Sequence, residues 1–361
     1  MKLSVPITMF TPSFADADNT NAQNLTVKEI VARLAPELFR VTMIADGTPD
    51  SRLANRPNTD FVKWSKHGNS VRLLSHTLAT RPDIYFFPRY GLLDRMFLKV
   101  RRCWPIRTAL LTYVVMSMED ASASNLAQES IESAEQVFAN SKFVAKTVSD
   151  RFGRHADVIY DGVDERFFYP SERTRNPEVV VLYAGSFQSR KRVEFVIEQA
   201  ARYPSVRFRI AGCGETEASC RDLAGQHGCT NISFLGHLSS EKLGEEMREA
   251  DIFFFPSILE GHPQVLGQAA ACGLPVIAMS CYRPDYVIHG KTGFLADSDA
   301  ELGSYLDCLI ANRSLRSAMS AAALRHVRNF DWDRIARQWA NVFQQIAETR
   351  QKLWLPRTQS A

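Results

Sequence analysis

The sequence has no long hydrophobic run, so no membrane-spanning helix is expected. No segment approaches the ~20 continuous apolar residues that a transmembrane helix needs. The apolar start superficially resembles a signal peptide, but Pro6 and Pro12 interrupt it. We therefore interpret this start as the first β-strand of an α/β domain, and we expect a cytoplasmic protein.

Cysteine and histidine also lack the spacings that mark metal or disulfide sites. Seven cysteines are scattered without a C-x-x-C pair, and the eight histidines show no metal-ligand spacing. This distribution predicts no structural zinc and no disulfide framework, and it favours a reducing compartment.

The sequence also lacks a large excess of positive or negative charge. A net charge of +3 over 361 residues gives no support to nucleic-acid binding.

The composition is typical of a globular protein, with 45% hydrophobic and 23% charged residues. The chain is long enough for two domains. Short apolar strands alternate with helical stretches, which is typical of parallel sheets with crossover helices. The predicted strands lie at residues 3–10, 40–44, 84–87, 109–115, 137–139 and 158–160, then 179–184, 207–211, 232–235, 252–255, 275–278 and 293–296.

This order predicts an α/β protein with two Rossmann-like, doubly wound domains that face a central cleft. Ligands of such sheets bind at the carboxyl ends of the strands. The polar stretch 164–177 is the expected interdomain linker. We place the first domain at residues 1–165 and the second at residues 170–330.

The loop that opens at Glu260 is the most informative part of the chain. A buried strand delivers Glu260 onto Gly261, and Pro263 stands where the first turn of a helix begins. That helix ends at Gly273, and a new apolar strand follows Pro275. A helix N-terminus favours an anion, and the carboxylate beside it favours an uncharged polar group. A sugar diphosphate fits both preferences.

The second half of the chain resembles the donor-binding domain of retaining glycosyltransferases of the GT-B fold, specifically glycosyltransferase family 4. The likeness runs from Val179 to about Phe330 and is carried by ordered motifs at 183–187, 190–192, 210–214, 234–236 and 290–295. The first half resembles the family more weakly, chiefly at 135–141 and 159–164. The resemblance implies that residues 1–165 form the acceptor-side domain and that a C-terminal helix at 331–355 crosses back to complete it.

The resemblance also implies roles for individual residues. Glu260 is expected to face the sugar, and Lys191 to neutralise the leaving diphosphate, so both are predicted to be catalytic. Further contacts to the nucleotide-sugar are expected from Gly185, Ser186, Arg190, Gly214, Gly261, His262, Pro263, Gln264, Val265 and Gln268. The implied reaction is a retaining, metal-independent hexosyl transfer to an unknown acceptor, in glycan, glycolipid or polysaccharide biosynthesis. It needs no cofactor, since the nucleotide-sugar is a substrate.

Several positions depart from the family pattern. Ser186 stands where the family usually has arginine, with Arg190 or Arg192 as a candidate substitute, and Gln268 stands where it has a second carboxylate. The usual Gly-Gly of the first loop is absent, and no histidine follows the fourth strand, where Glu119 or Asp120 is the candidate substitute. These departures keep two alternatives open: a catalytically degenerate subunit that binds nucleotide-sugars, and a nucleotide-sugar epimerase on the same fold.

A basic and apolar stretch at residues 89–107 allows two interpretations. Its apolar residues recur at helical spacing with basic residues between them: Leu92, Leu93, Met96, Phe97, Val100 and Trp104, with Arg95, Lys99, Arg101 and Arg102. Such a helix packs on a sheet as an ordinary crossover, or it contacts an anionic membrane that holds a lipid-linked acceptor.

Overall fold

The chain passes between two units twice. In the computed structural model, unit 1 comprises Met1–Asp161 and Trp332–Ala361, and unit 2 comprises Gly162–Asp331. The structure describes residues 6–18, 21–64, 69–87, 91–104, 106–115, 121–171 and 178–354, without the side chains of 121–126 and 351–354. Part of the linker expected at 164–177 lies outside the described residues.

Unit 1 is built on a parallel sheet of seven strands. These are β1 (Ile7–Phe14), β2 (Phe39–Ala45), β3 (Thr59–Lys63), β4 (Ile84–Phe86), β5 (Ala109–Val114), β6 (Gln136–Ala139) and β7 (Asp157–Val158), in the order β3-β2-β1-β4-β5-β6-β7. Its helices include α1 (Ala22–Arg33), α2 (Ser51–Ala54), α3 (Asn69–Thr80), α4 (Leu92–Cys103), α5 (Ala121–Ser133) and α6 (Lys142–Phe152).

Unit 2 repeats this arrangement with six parallel strands. They are β8 (Val180–Ala184), β9 (Arg207–Ala211), β10 (Ile232–Gly236), β11 (Ile252–Phe255), β12 (Val276–Met279) and β13 (Gly293–Ala296), in the order β10-β9-β8-β11-β12-β13. The helices are α7 (Val193–Arg202), α8 (Glu217–Gln226), α9 (Ser240–Glu249), α10 (Gln264–Ala271), α11 (Asp299–Ala311) and α12 (Arg313–Val327). The prediction of two doubly wound α/β units is confirmed.

The strand order places a topological switch point in unit 2. The chain winds outward from β8 through β9 to β10, and then returns to β11 on the other side of β8. The loops that leave the carboxyl ends of β8 and β11 begin at this switch point, which is where open α/β sheets bind ligands.

The long helix α13 (Trp332–Trp354) follows unit 2 in sequence but packs in the core of unit 1. Trp339 is fully buried, and its ring lies 4.8 Å from that of Phe86, 5.1 Å from that of Tyr113 and 4.9 Å from that of Phe138. These rings come from three strands of the sheet, so α13 covers one face that the earlier part of the chain leaves open.

Unit 2 begins and ends side by side. The backbone N–H of Val163 donates to the carbonyl of Phe330 at 2.9 Å, and Val163 forms a parallel bridge with Asp331. The preceding residue of unit 1, Asp161, is buried, and its carboxylate accepts hydrogen bonds from Thr26, Tyr113 and Asn140. The first and last residues of unit 2 are therefore joined to each other by hydrogen bonds.

Candidate functional site

Lys191 and Glu260 meet across the switch point of unit 2. Lys191 ends the loop that follows β8, and Glu260 lies in the loop that follows β11. Lys191 Nζ donates to Glu260 Oε1 at 2.5 Å, and the two side chains are only 11% and 10% exposed. The residues predicted to be catalytic are thus in direct contact, although 69 positions separate them in sequence.

Two more donors converge on the same carboxylate oxygen. Arg190 Nη1 lies 3.1 Å from Glu260 Oε1, and Ser257 Oγ lies 2.6 Å from it. Ser257 is fully buried, and our sequence reasoning did not single it out as a site residue. The sequence signal that could have identified it is its position, two residues after the buried strand β11 and three residues before Glu260.

Backbone hydrogen bonds hold the β8 and β11 loops against each other. The carbonyl of Arg190 accepts from the N–H of Ile258 at 3.0 Å, and Arg190 Nη1 donates to the carbonyl of Leu259 at 2.8 Å. The position of Glu260 is consequently fixed by contacts of the two residues that precede it as well as by its own ion pairs. Such preorganisation is typical of sites that stabilise charge.

The electrostatics of this cluster favour an anionic ligand. Burial lowers the pKa of Lys191, and the neighbouring Glu260 carboxylate opposes that shift. Nζ also lies 5.0 Å from the centroid of the Phe255 ring, where a cation is favoured. With Arg190 included, two positive charges face one carboxylate, which leaves a net charge of about +1 to attract a phosphate.

The glycines of the β8 and β9 loops allow their backbones to approach closely. A Cβ added at Gly185 would lie 2.7 Å from Tyr183 Oη, and one at Gly214 would lie 2.4 Å from the carbonyl oxygen of Phe187. Gly214 also has φ +156°, a conformation that other residues rarely adopt. Ser186 is half-buried, and its carbonyl accepts from Tyr183 Oη at 3.3 Å.

Helix α10 begins at Gln264, so Pro263 precedes the helix as its N-cap instead of standing in its first turn. The prediction was one residue off, because a fixed φ near −65° suits both positions. Gly261, Gln264, Val265 and Gln268 are all half-buried. Gln264 and Gln268 are one helical turn apart and lie on the same face of α10.

His262 is buried and packs against Tyr286. Its ring stacks on that of Tyr286 with centroids 4.0 Å apart and planes at 21°. Burial lowers the pKa of His262 to about 3, so the imidazole is neutral near pH 7. Gly267 makes room for this stack, since a Cβ there would lie 2.6 Å from the Tyr286 ring. The side chain of His262 therefore shapes the loop by packing.

The structure separates the two arginines that flank Lys191. Arg190 contacts Glu260, whereas Arg192 Nη2 bonds to Asp299 at 2.6 Å. Arg192 has φ +56° and links the short 3-10 turn at Lys191 to helix α7, which begins at Val193. Of these two neighbours, Arg190 is the one placed beside the predicted phosphate site.

In unit 1, the loop after β1 is held by its own polar groups. The Asp16 carboxylate accepts from the backbone N–H groups of Asp46 and Gly47, and the Asp16 carbonyl accepts from Lys28 Nζ at 2.8 Å. These contacts are structural, and they join the loops after β1 and β2. Glu119 and Asp120, the candidate substitutes for the family histidine, lie outside the described residues.

Comparison with known proteins shows that most of unit 2 is similar to one sequence family. Residues 164–326 match the model of the family described as glycosyl transferases group 1. The D-inositol 3-phosphate glycosyltransferases of Mycobacterium tuberculosis and Mycobacterium bovis are 31% identical to the chain over 231 residues. That match covers 57% of this chain and 48% of the relatives, so the chain spans about half their length.

Solved structures share the architecture of nearly the whole chain. Sucrose-phosphate synthase from Thermosynechococcus elongatus superposes with a TM-score of 0.76 at 18% identity, over 96% of this chain and 100% of that one. Anabaena HepE, solved in complex with UDP and glucose, superposes with a TM-score of 0.73 at 18% identity, over 93% and 99% of the two chains. At this identity the likeness shows the fold alone.

Proposed function

Because residues 164–326 match the model of group 1 glycosyl transferases and the chain has the GT-B fold, we propose that this protein transfers a sugar from a nucleotide-diphosphate donor to an acceptor hydroxyl. The observation that carries the proposal is the contact of Lys191 and Arg190 with Glu260 at the switch point of unit 2. We propose that these two cations contact the diphosphate of such a donor and that the carboxylate contacts its sugar.

In the proposed mechanism the bound donor redistributes these ion pairs. The diphosphate enters beside the start of α10 and takes over the interactions of Lys191 Nζ and Arg190 Nη1. Glu260 is then released to accept hydrogen bonds from the sugar and to stabilise its developing positive charge. As the bond to the leaving phosphate breaks, both cations stabilise the charge that accumulates there. The start of α10 contributes a further partial positive charge.

We propose that transfer proceeds with retention and without a metal. The leaving phosphate remains on the face of the sugar that the acceptor hydroxyl approaches, and it takes the proton of that hydroxyl. Lys191 and Arg190 supply the charge that a divalent cation supplies in other transferases. We propose that unit 1 binds the acceptor. We also propose that the reaction belongs to glycan, glycolipid or polysaccharide biosynthesis.

UDP-sugars are the first donors to test, since HepE was solved with UDP and with UDP-glucose. A thermal-shift screen would compare UDP-, GDP-, ADP- and TDP-sugars in the presence of a chelator. A ligand at ~100 times its Kd stabilises the folded protein by about 2.7 kcal/mol. Transfer would then be measured with the stabilising donor, and the anomeric configuration of the product determined by NMR.

The outcomes of this screen separate the three functions. Donor binding followed by transfer with retained configuration supports the proposal. Donor binding without transfer to any acceptor favours the degenerate binding subunit. That alternative rests on Gln268 and Ser186, which depart from the family pattern. Conversion of the donor sugar without an acceptor favours the epimerase. Absence of stabilisation by every nucleotide-sugar would contradict all three.

A further inference from the structure

Helix α4 of unit 1 carries exposed apolar side chains at both ends. Leu93 and Phe97 are buried in the core, whereas Leu92 at the start of the helix is 63% exposed. Trp104, which directly follows the helix, is 67% exposed, and Val71 on the neighbouring helix α3 is 59% exposed. Packing on the sheet therefore uses only one face of α4 and leaves the other face open to a partner.

The open face of α4 is a basic stripe. Leu92, Arg95, Lys99 and Arg102 recur at intervals of three and four residues, which places them within an arc of about 80° on the helix. All four side chains are exposed. At roughly 1.5 Å per residue, this stripe and Trp104 extend over about 18 Å. We call Val71, Leu92, Arg95, Lys99, Arg102 and Trp104 the α4 surface.

The positive charge of this surface is largely uncompensated. The acidic residue of α4, Asp94, is buried and accepts from Tyr85 Oη at 2.6 Å. Arg102 is paired with Glu129 of α5 at 3.0 Å. Within the part of the chain that the structure describes, no carboxylate lies within ion-pair distance of Arg95 or Lys99.

We propose that the α4 surface docks unit 1 on an anionic lipid bilayer. Basic side chains near such a surface are attracted by its negative potential, and exposed tryptophan and leucine insert at the level of the headgroups. An acidic protein is the competing partner. Protein interfaces concentrate their apolar anchors in a central, desolvated cluster, whereas here the apolar residues flank a charged stripe. That arrangement favours the flat, hydrated surface of an anionic lipid bilayer.

Co-sedimentation with vesicles tests the proposal directly. The full-length protein should sediment with vesicles of phosphatidylcholine and phosphatidylserine at 7:3, and not with phosphatidylcholine alone. Binding should weaken as salt is raised, because screening shortens the range of the attraction. Each basic side chain contributes on the order of a fivefold gain in affinity at an anionic surface. Reversing both charges in Arg95→Glu/Lys99→Glu should lower partitioning by at least about 25-fold.

A matched pair on unit 2 controls for net charge. Arg313 and Arg325 are exposed on α12, and Arg313→Glu/Arg325→Glu changes the net charge by the same amount. This control should bind the anionic vesicles like the wild type, and Trp104→Ala should bind them more weakly. No sedimentation of the wild type, or equal losses in the two double variants, would overturn the proposal. Donor binding in the thermal-shift screen should be unchanged in all variants, so this proposal and the proposed function fail separately.

Discussion

At the scale of single residues, the two neighbouring cations Lys191 and Arg192 lie in different environments and pair with different carboxylates. Lys191 is buried against Glu260, whereas Arg192 pairs with Asp299 on α11. Lys191→Ala should lower kcat on the order of a hundredfold, because one preorganised cation is lost from the leaving phosphate. Arg192→Asn removes the same charge and tolerates a positive φ, so its kcat should stay near the wild-type value. Equal losses of kcat in the two variants would show that Lys191 and Arg192 act only through their summed positive charge.

Glu260→Gln separates stabilisation of the sugar from binding of the nucleotide. The amide keeps the size of the side chain and can still bond Ser257, but it removes the charge that Lys191 and Arg190 face. We expect kcat and kcat/KM to fall together while the affinity for the nucleoside diphosphate stays equal or rises, since both cations become available to phosphate. Donor affinity, melting temperature and transfer rate should be measured on one preparation. Unchanged transfer would remove this carboxylate from the mechanism.

Gln268→Glu restores the carboxylate that the family pattern has at this position. The residue is half-buried on the same face of α10 as Gln264. If it contacts the ribose, a charge-assisted hydrogen bond should tighten nucleotide binding by about 1 kcal/mol. Isothermal titration of both proteins with the same nucleoside diphosphate checks the difference. Equal affinities would place this side chain away from the ribose.

At the scale of elements, the start of α10 depends on a buried neutral histidine. The pKa of His262 is about 3 in the folded chain, far below its ordinary value near 6.5. Between these two values the unfolded chain binds a proton that the folded chain does not. The free energy of unfolding should therefore decrease as the pH falls from about 6.5 towards 3, by up to about 1.4 kcal/mol per pH unit from this group.

His262→Phe should remove that contribution while keeping an aromatic ring against Tyr286. Melting temperatures of the variant and the wild type, measured from pH 7 to pH 4, should converge or cross as the pH falls. His227→Gln is the control, because His227 is exposed and lies on another element. Parallel curves for the wild type and His262→Phe would contradict the assignment.

The elements themselves were largely readable from the sequence, and the contacts between them were not. Buried parallel strands such as β11 give continuous apolar runs, and each of the twelve predicted strands has a counterpart in the structure. β3 was missed because it is an edge strand that is half exposed and carries Asp60 and Lys63. The ion pair of Lys191 with Glu260 depends on the strand order that makes β8 and β11 neighbours, and no local pattern specifies that order.

At the scale of the whole molecule, the stability of unit 1 depends on a helix that follows unit 2 in sequence. Trp339→Ala should lower the free energy of unfolding of unit 1 by roughly 3–5 kcal/mol, because it leaves a cavity among three aromatic rings. Trp104→Ala, at a site that is 67% exposed, should change it by less than about 0.5 kcal/mol. Chemical denaturation followed by circular dichroism measures both. Similar costs at the two tryptophans would show that α13 does not complete the core.

The position of α13 in the sequence determines when the core of unit 1 can be completed during translation. Phe86, Tyr113 and Phe138 are synthesised before unit 2, and Trp339 reaches them only after the 170 residues from 162 to 331 have followed. At roughly 5–20 residues per second, the nascent first segment exposes this aromatic surface for about 10–30 s. Unit 2 is contiguous, so it folds while unit 1 is still incomplete. A chain that ends at residue 331 and has been released from the ribosome should therefore resist protease in unit 2 and be cleaved in unit 1.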